Sequence, residues 1–425
     1  MKRVLSALAA LAIAASFGAL QAGAQAQTTI KYAFWGNPDA IGVEKDIIEE
    51  FESLNPGIKV EPVVSSYGDY HTKLLTMFAG GAAPDVMRID SYYFSDFMKV
   101  NALRSISDLV AKDKLDLSSY YQQGIQECSY NGSLYGLPWA TAPIYLFVNL
   151  DVLDKAGVKL PTNDWTWNDF VAICKAVTKG AGADKVYGFA YDTGTFSSIL
   201  PWVWANGGDL FNADKTKFAL NQSAAVQAIQ RFADLLKQGY LPPETVSATA
   251  DINTRLFVNG KVAMRMGSAA EILSTQKVEG VRFEVLPMPN GKIKGTTLVK
   301  SNIVGISASS KNQAAAWAFL KYLRGPEGKG ETLYMKAKRM PPTMNNPVYW
   351  GLYADKTKYP KKVEANTQAI SKTYGHKLPL RAGWLEIEQT LKPAIQLILT
   401  GDQTAEAAMK DIAPKVQAIL DRTAK

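Results

Sequence analysis

The sequence predicts an α/β fold built on a mostly parallel sheet, with more than one domain. Three observations carry that expectation. From residue 29 onward, β-branched and aromatic runs alternate with stretches of helical period. Gly, Pro and Asn punctuate the joints between them. Beyond residue 26 about 400 residues remain, which at roughly 100 to 200 per domain is enough for two or three cores.

The elements follow in order. Residues 29–35 are β-branched and aromatic and read as a strand. Asn37-Pro38 then offers a cap and a proline at the first helical position. Ile47, Phe51 and Leu54 share one face, with Glu44, Glu49, Glu50 and Glu52 off it, so an amphipathic helix is expected. Asn55-Pro56-Gly57 stops it, and residues 58–64 form a second strand. A helix over 70–79 ends at Gly80-Gly81 and leads into a buried strand at 85–89. This strand-helix alternation specifies a parallel sheet. Right-handed crossovers then gather the strands' C-terminal ends on one edge, where open α/β sheets bind ligands.

Further strands are expected at 144–149, 186–190, 262–266 and 303–307. Helices are expected at 151–156, 167–178, 224–237 and 314–323, the last with Phe319, Leu320 and Leu323 on one side. Two more close the chain at 385–399 and 404–420, the second with Ile412, Val416, Ile419 and Leu420 as its apolar face. There is no internal repeat, low-complexity tract or long linker.

The first residues bear on compartment. Lys2 and Arg3 precede an apolar, Ala-rich run over 4–20, and Ala22, Gly23, Ala24 and Ala26 satisfy the small-x-small cleavage rule. Residues 1–26 are therefore expected to be a cleaved export signal and the mature protein to be periplasmic. No cysteine follows the run to accept a lipid, and no later stretch approaches spanning length. The formal charge of +8 becomes +6 once Lys2 and Arg3 leave, and it is spread along the chain without a basic block. Nucleic acid is not expected as a partner, and the charge supports only a mild lean toward acidic ligands or anionic surfaces. Cys128 and Cys174 are too few for a disulfide scaffold.

Catalytic sets are hard to assemble. The only histidines are His71 and His376, neither near a nucleophile elbow, and Gly305-Ile306-Ser307-Ala308-Ser309 lacks the final glycine of that motif. There is no His-Glu-x-x-His pair, no Cys/His ligand cluster and no Gly-x-x-x-x-Gly-Lys-Ser/Thr loop. Glu386 and Glu388 read as a solvated helix face, although an exported polysaccharide hydrolase stays as a competing reading. No metal and no cofactor are expected.

Several strings follow one another along the chain. In the first part they are Phe34-Trp35-Gly36, Phe51-Glu52-Ser53-Leu54-Asn55-Pro56-Gly57-Ile58-Lys59-Val60 and Ala79-Gly80-Gly81-Ala82-Ala83-Pro84-Asp85-Val86. Next come Asn131-Gly132-Ser133-Leu134-Tyr135-Gly136-Leu137-Pro138 and Tyr145-Leu146-Phe147-Val148-Asn149. Asn206-Gly207-Gly208-Asp209-Leu210-Phe211, Phe257-Val258-Asn259-Gly260-Lys261-Val262-Ala263-Met264 and Ala315-Ala316-Trp317-Ala318-Phe319-Leu320-Lys321-Tyr322-Leu323 complete the series. In this order they resemble the family 1 extracellular solute-binding proteins of ABC importers, relatives of the maltose-binding protein.

The resemblance implies a two-lobe periplasmic binding protein fold of class II type, each lobe a mostly parallel sheet flanked by helices, with multiple hinge crossings. It puts 27–145 plus 304–345 in the N-terminal lobe and 146–303 plus 346–425 in the C-terminal lobe. It implies a monomer that captures a sugar or oligosaccharide in the interlobe cleft and delivers it to an inner-membrane permease, without catalysis. Cys128 and Cys174 would then lie in different lobes as thiols, since a bridge would hinder the hinge. One departure is informative: Lys300-Ser301-Asn302 stands where many relatives carry Gly-Gly-Trp.

A sugar cleft combines aromatic rings for C–H faces with polar groups for hydroxyls. Candidates from the sheet edge are Trp35 and Asn37 after the first strand, Ser66, Tyr67 and Tyr70 after the second, and Asp90, Tyr92 and Tyr93 after the third. Trp139 and Thr141 sit at the first crossing, and Lys300 and Asn302 at the second. Trp202 is favoured over Trp204, because residues two apart cannot share a helical face. Gly267 and Ser268 match a family position that approaches the ligand through its backbone. Arg339 and Arg381, the latter beside Trp384, could clamp a carboxylate or phosphate. The alternative ligand is therefore an acidic one, a uronate oligosaccharide or a glycerol-phosphate-like solute.

Overall fold

The computed structural model describes residues 27–423 except 37, 192–197, 244–245, 247–251, 295, 339, 371–374 and 377–382. Its strands are β1 (Thr28–Trp35), β2 (Ile58–Ser65), β3 (Val86–Ile89), β4 (Ser129–Tyr130), β5 (Ser133–Leu134), β6 (Gly136–Asn149), β7 (Tyr187–Ala190), β8 (Val262–Ser268), β9 (Phe283–Leu286), β10 (Thr297–Ile306) and β11 (Gly375–His376). The main sheet runs β2-β1-β3-β10-β6-β8-β7, with β9 on β6 and β11 on β10, and β4-β5 form a separate hairpin.

β1 lies parallel to both β2 and β3, so the C-terminal ends of the first three strands do meet on one edge. The second lobe is more mixed than expected. β7 and β8 are parallel, but β6 runs antiparallel to both β8 and β9. The reason is that β6 passes straight from one lobe into the other, pairing with β10 over its first half and with β8 and β9 over its second.

Pro38 begins a helix over Pro38–Leu54, as its fixed φ favours. Its buried face is Ile47, Ile48 and Phe51; Leu54, expected on that face, is 51% exposed, because the helix ends there and the chain turns away at Pro56-Gly57. Phe319, Leu320 and Leu323 are buried from helix Gln313–Arg324, and Ile412, Val416, Ile419 and Leu420 from helix Ala405–Thr423. The apolar interior forms two clusters, one around β1, β3 and helix Gln313–Arg324, the other around Trp202, Phe170 and the last two helices.

One boundary moves. Helix Pro347–Tyr353 packs on helix Lys329–Lys336, and the Trp350 indole N–H donates to the Tyr121 hydroxyl at 3.0 Å, so this segment stays with the first lobe. The chain reaches the second lobe only afterwards, where the Tyr359 carbonyl accepts from Gln276 at 2.8 Å and helix Val363–Ala369 packs on β9. The last crossing therefore falls between 354 and 362, not at 345/346. Its aromatic anchor, Trp350, fixes that choice.

Cys128 and Cys174 are buried thiols in different clusters and are not joined. Among the described residues, no helix is long and apolar enough to cross a membrane.

Candidate functional site

Trp35 ends β1 and is half-buried. Its ring lies 6.2 Å from Trp139, 5.1 Å from Tyr70 and 5.3 Å from His71. Trp139 owes its position to an irregularity in β6. Asn302 pairs with Ala140 but Ile303 with Pro138, so Trp139 is an extra residue with no partner across the ladder. Such a bulge re-aims a side chain. Both tryptophans are only partly covered, and both belong to the edge where the parallel strands end.

Asp90 follows β3. Its carboxylate accepts the Tyr92 N–H at 3.0 Å, and its own N–H donates to His71 Nε2 at 3.1 Å. His71 stacks on Tyr93 with ring centres 4.0 Å apart. Tyr92, from this first-lobe turn, stacks on Trp384 of the second-lobe core at 6.3 Å and 27°. That contact spans the two lobes. Trp384 is 3% exposed, and its indole nitrogen has no hydrogen-bond partner among the described residues. Asn302, half-buried on β10, has a buried side-chain oxygen that likewise lacks a partner. An unpaired buried donor and acceptor are costly unless something else satisfies them.

Other expected residues have different occupations. Tyr70 is a core residue: its hydroxyl donates to the Ala33 and Arg88 carbonyls at 2.9 and 2.8 Å, and burial pushes its phenol pKa well up. Trp202 is also core, enclosed by Trp167, Phe170, Phe189 and Phe232, because its helix turns that face onto the second lobe. Trp204 donates to Asp209 at 2.9 Å. Ser66 is exposed and donates to Asp69 at 2.8 Å at the start of helix Tyr67–Ala79. Gly267 is needed for packing, since a Cβ there would meet the Phe147 ring and the Arg265 guanidinium at 2.7 Å. The Ser268 N–H is already taken by Glu271 at 2.7 Å.

Thr141 and Lys300 lie on the paired crossing strands, opposite Ser301 and Ala142, with their side chains outside the described set, as is that of Tyr67. Asn37, Arg339 and Arg381 lie outside the described residues altogether.

Sequence reasoning missed the charged groups behind the rings. Arg88 sits in the middle of β3, 1% exposed, with its guanidinium 3.7 Å from the Trp139 ring centre and 5.1 Å from that of Trp35. It is ion-paired with buried Glu44. A basic residue inside the apolar string Val86-Met87-Arg88-Ile89 was the signal available. Arg265 and Arg324, equally buried, are paired with Glu271 and Glu331. Among the described residues, no group of His, Cys, Asp and Glu could hold a metal.

Residues 37–330 match the model of the bacterial extracellular solute-binding proteins, about two thirds of the sequence. The chain belongs to that family. It is a substrate-binding protein of the extracellular and periplasmic compartment, of the type that works with ABC permeases. Among solved structures, it is similar to an ABC substrate-binding protein of Listeria monocytogenes in complex with cycloalternan. They share 26% identity and a TM-score of 0.83, covering 93% of this chain and 99% of that one. An arabinooligosaccharide-binding protein of Bacillus subtilis is 27% identical, over 78% of this chain and 77% of its own length. An sn-glycerol-3-phosphate-binding periplasmic protein of Escherichia coli is 26% identical, over 64% and 63% respectively. This solute-binding protein thus has relatives named for neutral and for anionic ligands.

Proposed function

We propose that this solute-binding protein captures a neutral sugar or oligosaccharide between its lobes and hands it to an inner-membrane permease. The observation that carries the reading is the pair of partly exposed tryptophans, Trp35 and Trp139, at the C-terminal edge of the parallel strands. Two rings suit the C–H faces of a pyranose or furanose. The Asn302 side-chain oxygen, without a partner among the described residues, supplies an acceptor, which a hydroxyl satisfies and an ionised carboxylate or phosphate does not. Tyr92 contributes from one lobe and Trp384 from the other, so ligand contact and lobe closure are linked. Asp90, Thr141, Ser268, Asn37 and Tyr67 stay candidate contacts from their places in the sequence.

The acidic-ligand reading draws on Lys300, Arg339 and Arg381 and on the Escherichia coli relative. Against it, the buried Arg88, Arg265 and Arg324 each already face a carboxylate. The protein acts as a periplasmic monomer after loss of residues 1–26, and it turns nothing over.

A thermal-shift screen followed by calorimetry tests the choice, since a ligand that binds only the native state raises its melting temperature. Arabinose and glucose oligosaccharides are expected to bind, and sn-glycerol 3-phosphate and uronate oligosaccharides are not. Preference for the anionic set, lost in Arg381→Ala, overturns the neutral reading. Release of shorter sugars on incubation overturns binding without turnover.

A further inference from the structure

Trp139 rests on a buried polar frame. Arg88 and Glu44 are each 1% exposed and form an ion pair. Arg88 also donates to the Trp35 carbonyl at 3.0 Å, the Tyr32 hydroxyl at 3.2 Å and the Tyr334 hydroxyl at 3.1 Å. The Trp139 indole N–H donates to that same Tyr334 hydroxyl at 3.1 Å. On the far side, Arg324 lies 3.9 Å from the Tyr334 ring centre and 5.5 Å from that of Trp139. Arg324 pairs with Glu331 at 2.5 Å, and Glu331 accepts the Thr343 N–H and hydroxyl at 3.0 and 3.1 Å.

Two fully buried ion pairs are a poor way to stabilise a core, because desolvation offsets much of their attraction. They are a good way to fix an angle. A guanidinium held in plane by several acceptors presents a flat cation to a ring, and the ring settles over it in one orientation. Trp139 needs such help more than its neighbours do, because as the bulged residue it lacks a ladder partner.

We propose that Arg88 and Tyr334 are positioning residues for ligand capture: without touching ligand, they hold the Trp139 ring at the angle in which a sugar face stacks on it. The inference rests on the sugar-cleft reading above. Presetting the ring removes the ordering cost that a mobile indole would add to binding. Tyr334 is the hinge of the arrangement, since one hydroxyl receives both the indole and the guanidinium.

The test is a double-mutant cycle with a readout that needs no ligand. Tyr334→Phe removes only the shared hydroxyl. It is expected to weaken binding of arabinotriose, maltotriose or cycloalternan roughly fivefold, and by less than about twofold when Trp139→Phe has already removed the indole N–H. Equal losses in both backgrounds, or no loss in the first, overturn the proposal. In the free protein, the near-ultraviolet dichroism assignable to Trp139, taken as wild type minus Trp139→Phe, should shrink in Tyr334→Phe. It should shrink also in Arg88→Lys, which keeps the charge opposite Glu44 but loses the planar fork. A lowered melting temperature with that difference spectrum intact makes the two groups merely structural and defeats the idea. If none of the three sugars binds wild type, the sugar reading has failed while the spectrum still decides the positioning claim.

Discussion

Two tryptophan sites, one in each lobe, use the ring in opposite ways. In the second lobe Trp202 is surrounded by Trp167, Phe170, Phe189 and Phe232 and is 3% exposed. In the first, Trp35 and Trp139 are only partly covered and are backed by Arg88. The difference teaches that what lies behind a ring decides its use. Apolar neighbours on every side draw the indole fully inward and make it core. A buried cation attracts one face and leaves the rest of the ring for something else to cover.

That contrast can be broken at its most expensive point first. Glu44→Gln strands the Arg88 charge in the core, and a loss of about 3 to 5 kcal/mol in unfolding free energy by urea titration is expected. A loss below about 1 kcal/mol would mean the pair is not the buried frame described. Trp202→Ala should cost a comparable 3 to 5 kcal/mol of stability through the cavity it leaves, with little change in ligand affinity below the shifted midpoint, about the reverse of a cleft residue. Affinity falling with stability unaltered would move Trp202 back to the cleft.

Trp139→Ala is the mirror experiment. It should cost about 2 kcal/mol in calorimetric binding, roughly thirtyfold, with a smaller effect on folding than Trp202→Ala. Smaller again, Tyr92→Ala removes the ring stack that spans the lobes and should weaken binding by about 1 kcal/mol, chiefly as faster release in stopped-flow fluorescence. An unchanged dissociation rate argues against a role in closure.

The smallest effect lies on the outer face of the first lobe. Hydrogen bonds from the Lys321 ammonium and the Trp317 indole N–H hold the Asp113 carboxyl below the usual carboxylate range. A depressed folded pKa contributes stability that is present above the unfolded value and lost as the pH falls through the folded one. Asp113→Asn should therefore flatten the fall in stability that follows as the pH drops below the ordinary carboxylate value of 3.8, and change little at neutrality. An unaltered acid limb would leave that pair without measurable weight.

Much of this was legible in the residues. β1, β2 and β3 follow from β-branched runs set between Asn-Pro-Gly and Gly-Gly breaks, and their parallel order follows from the helices between them. Trp35 and Trp139, singled out from their places after a strand and at a crossing, are both only partly covered. Trp202 was not, because a six-residue helix, Leu200–Ala205, is buried on all sides and offers no polar face to orient it. Nor was the bulge legible: a slip of one residue between β6 and β10 depends on both strands at once. The last crossing was misplaced for a similar reason, since only Trp350 reaching Tyr121, far away in sequence, tells which lobe helix Pro347–Tyr353 joins. Arg88 was visible as a charge in an apolar strand, but its partner Glu44 read as solvent-facing because three neighbouring glutamates shared the polar side of its helix.

β6 does more than carry the bulged ring. A strand presents alternate residues to opposite faces. In its second half Tyr145 and Phe147 join the first apolar cluster while Leu146 and Val148 join the second. One fourteen-residue strand thereby has a side in each interior and ties the two together along its length.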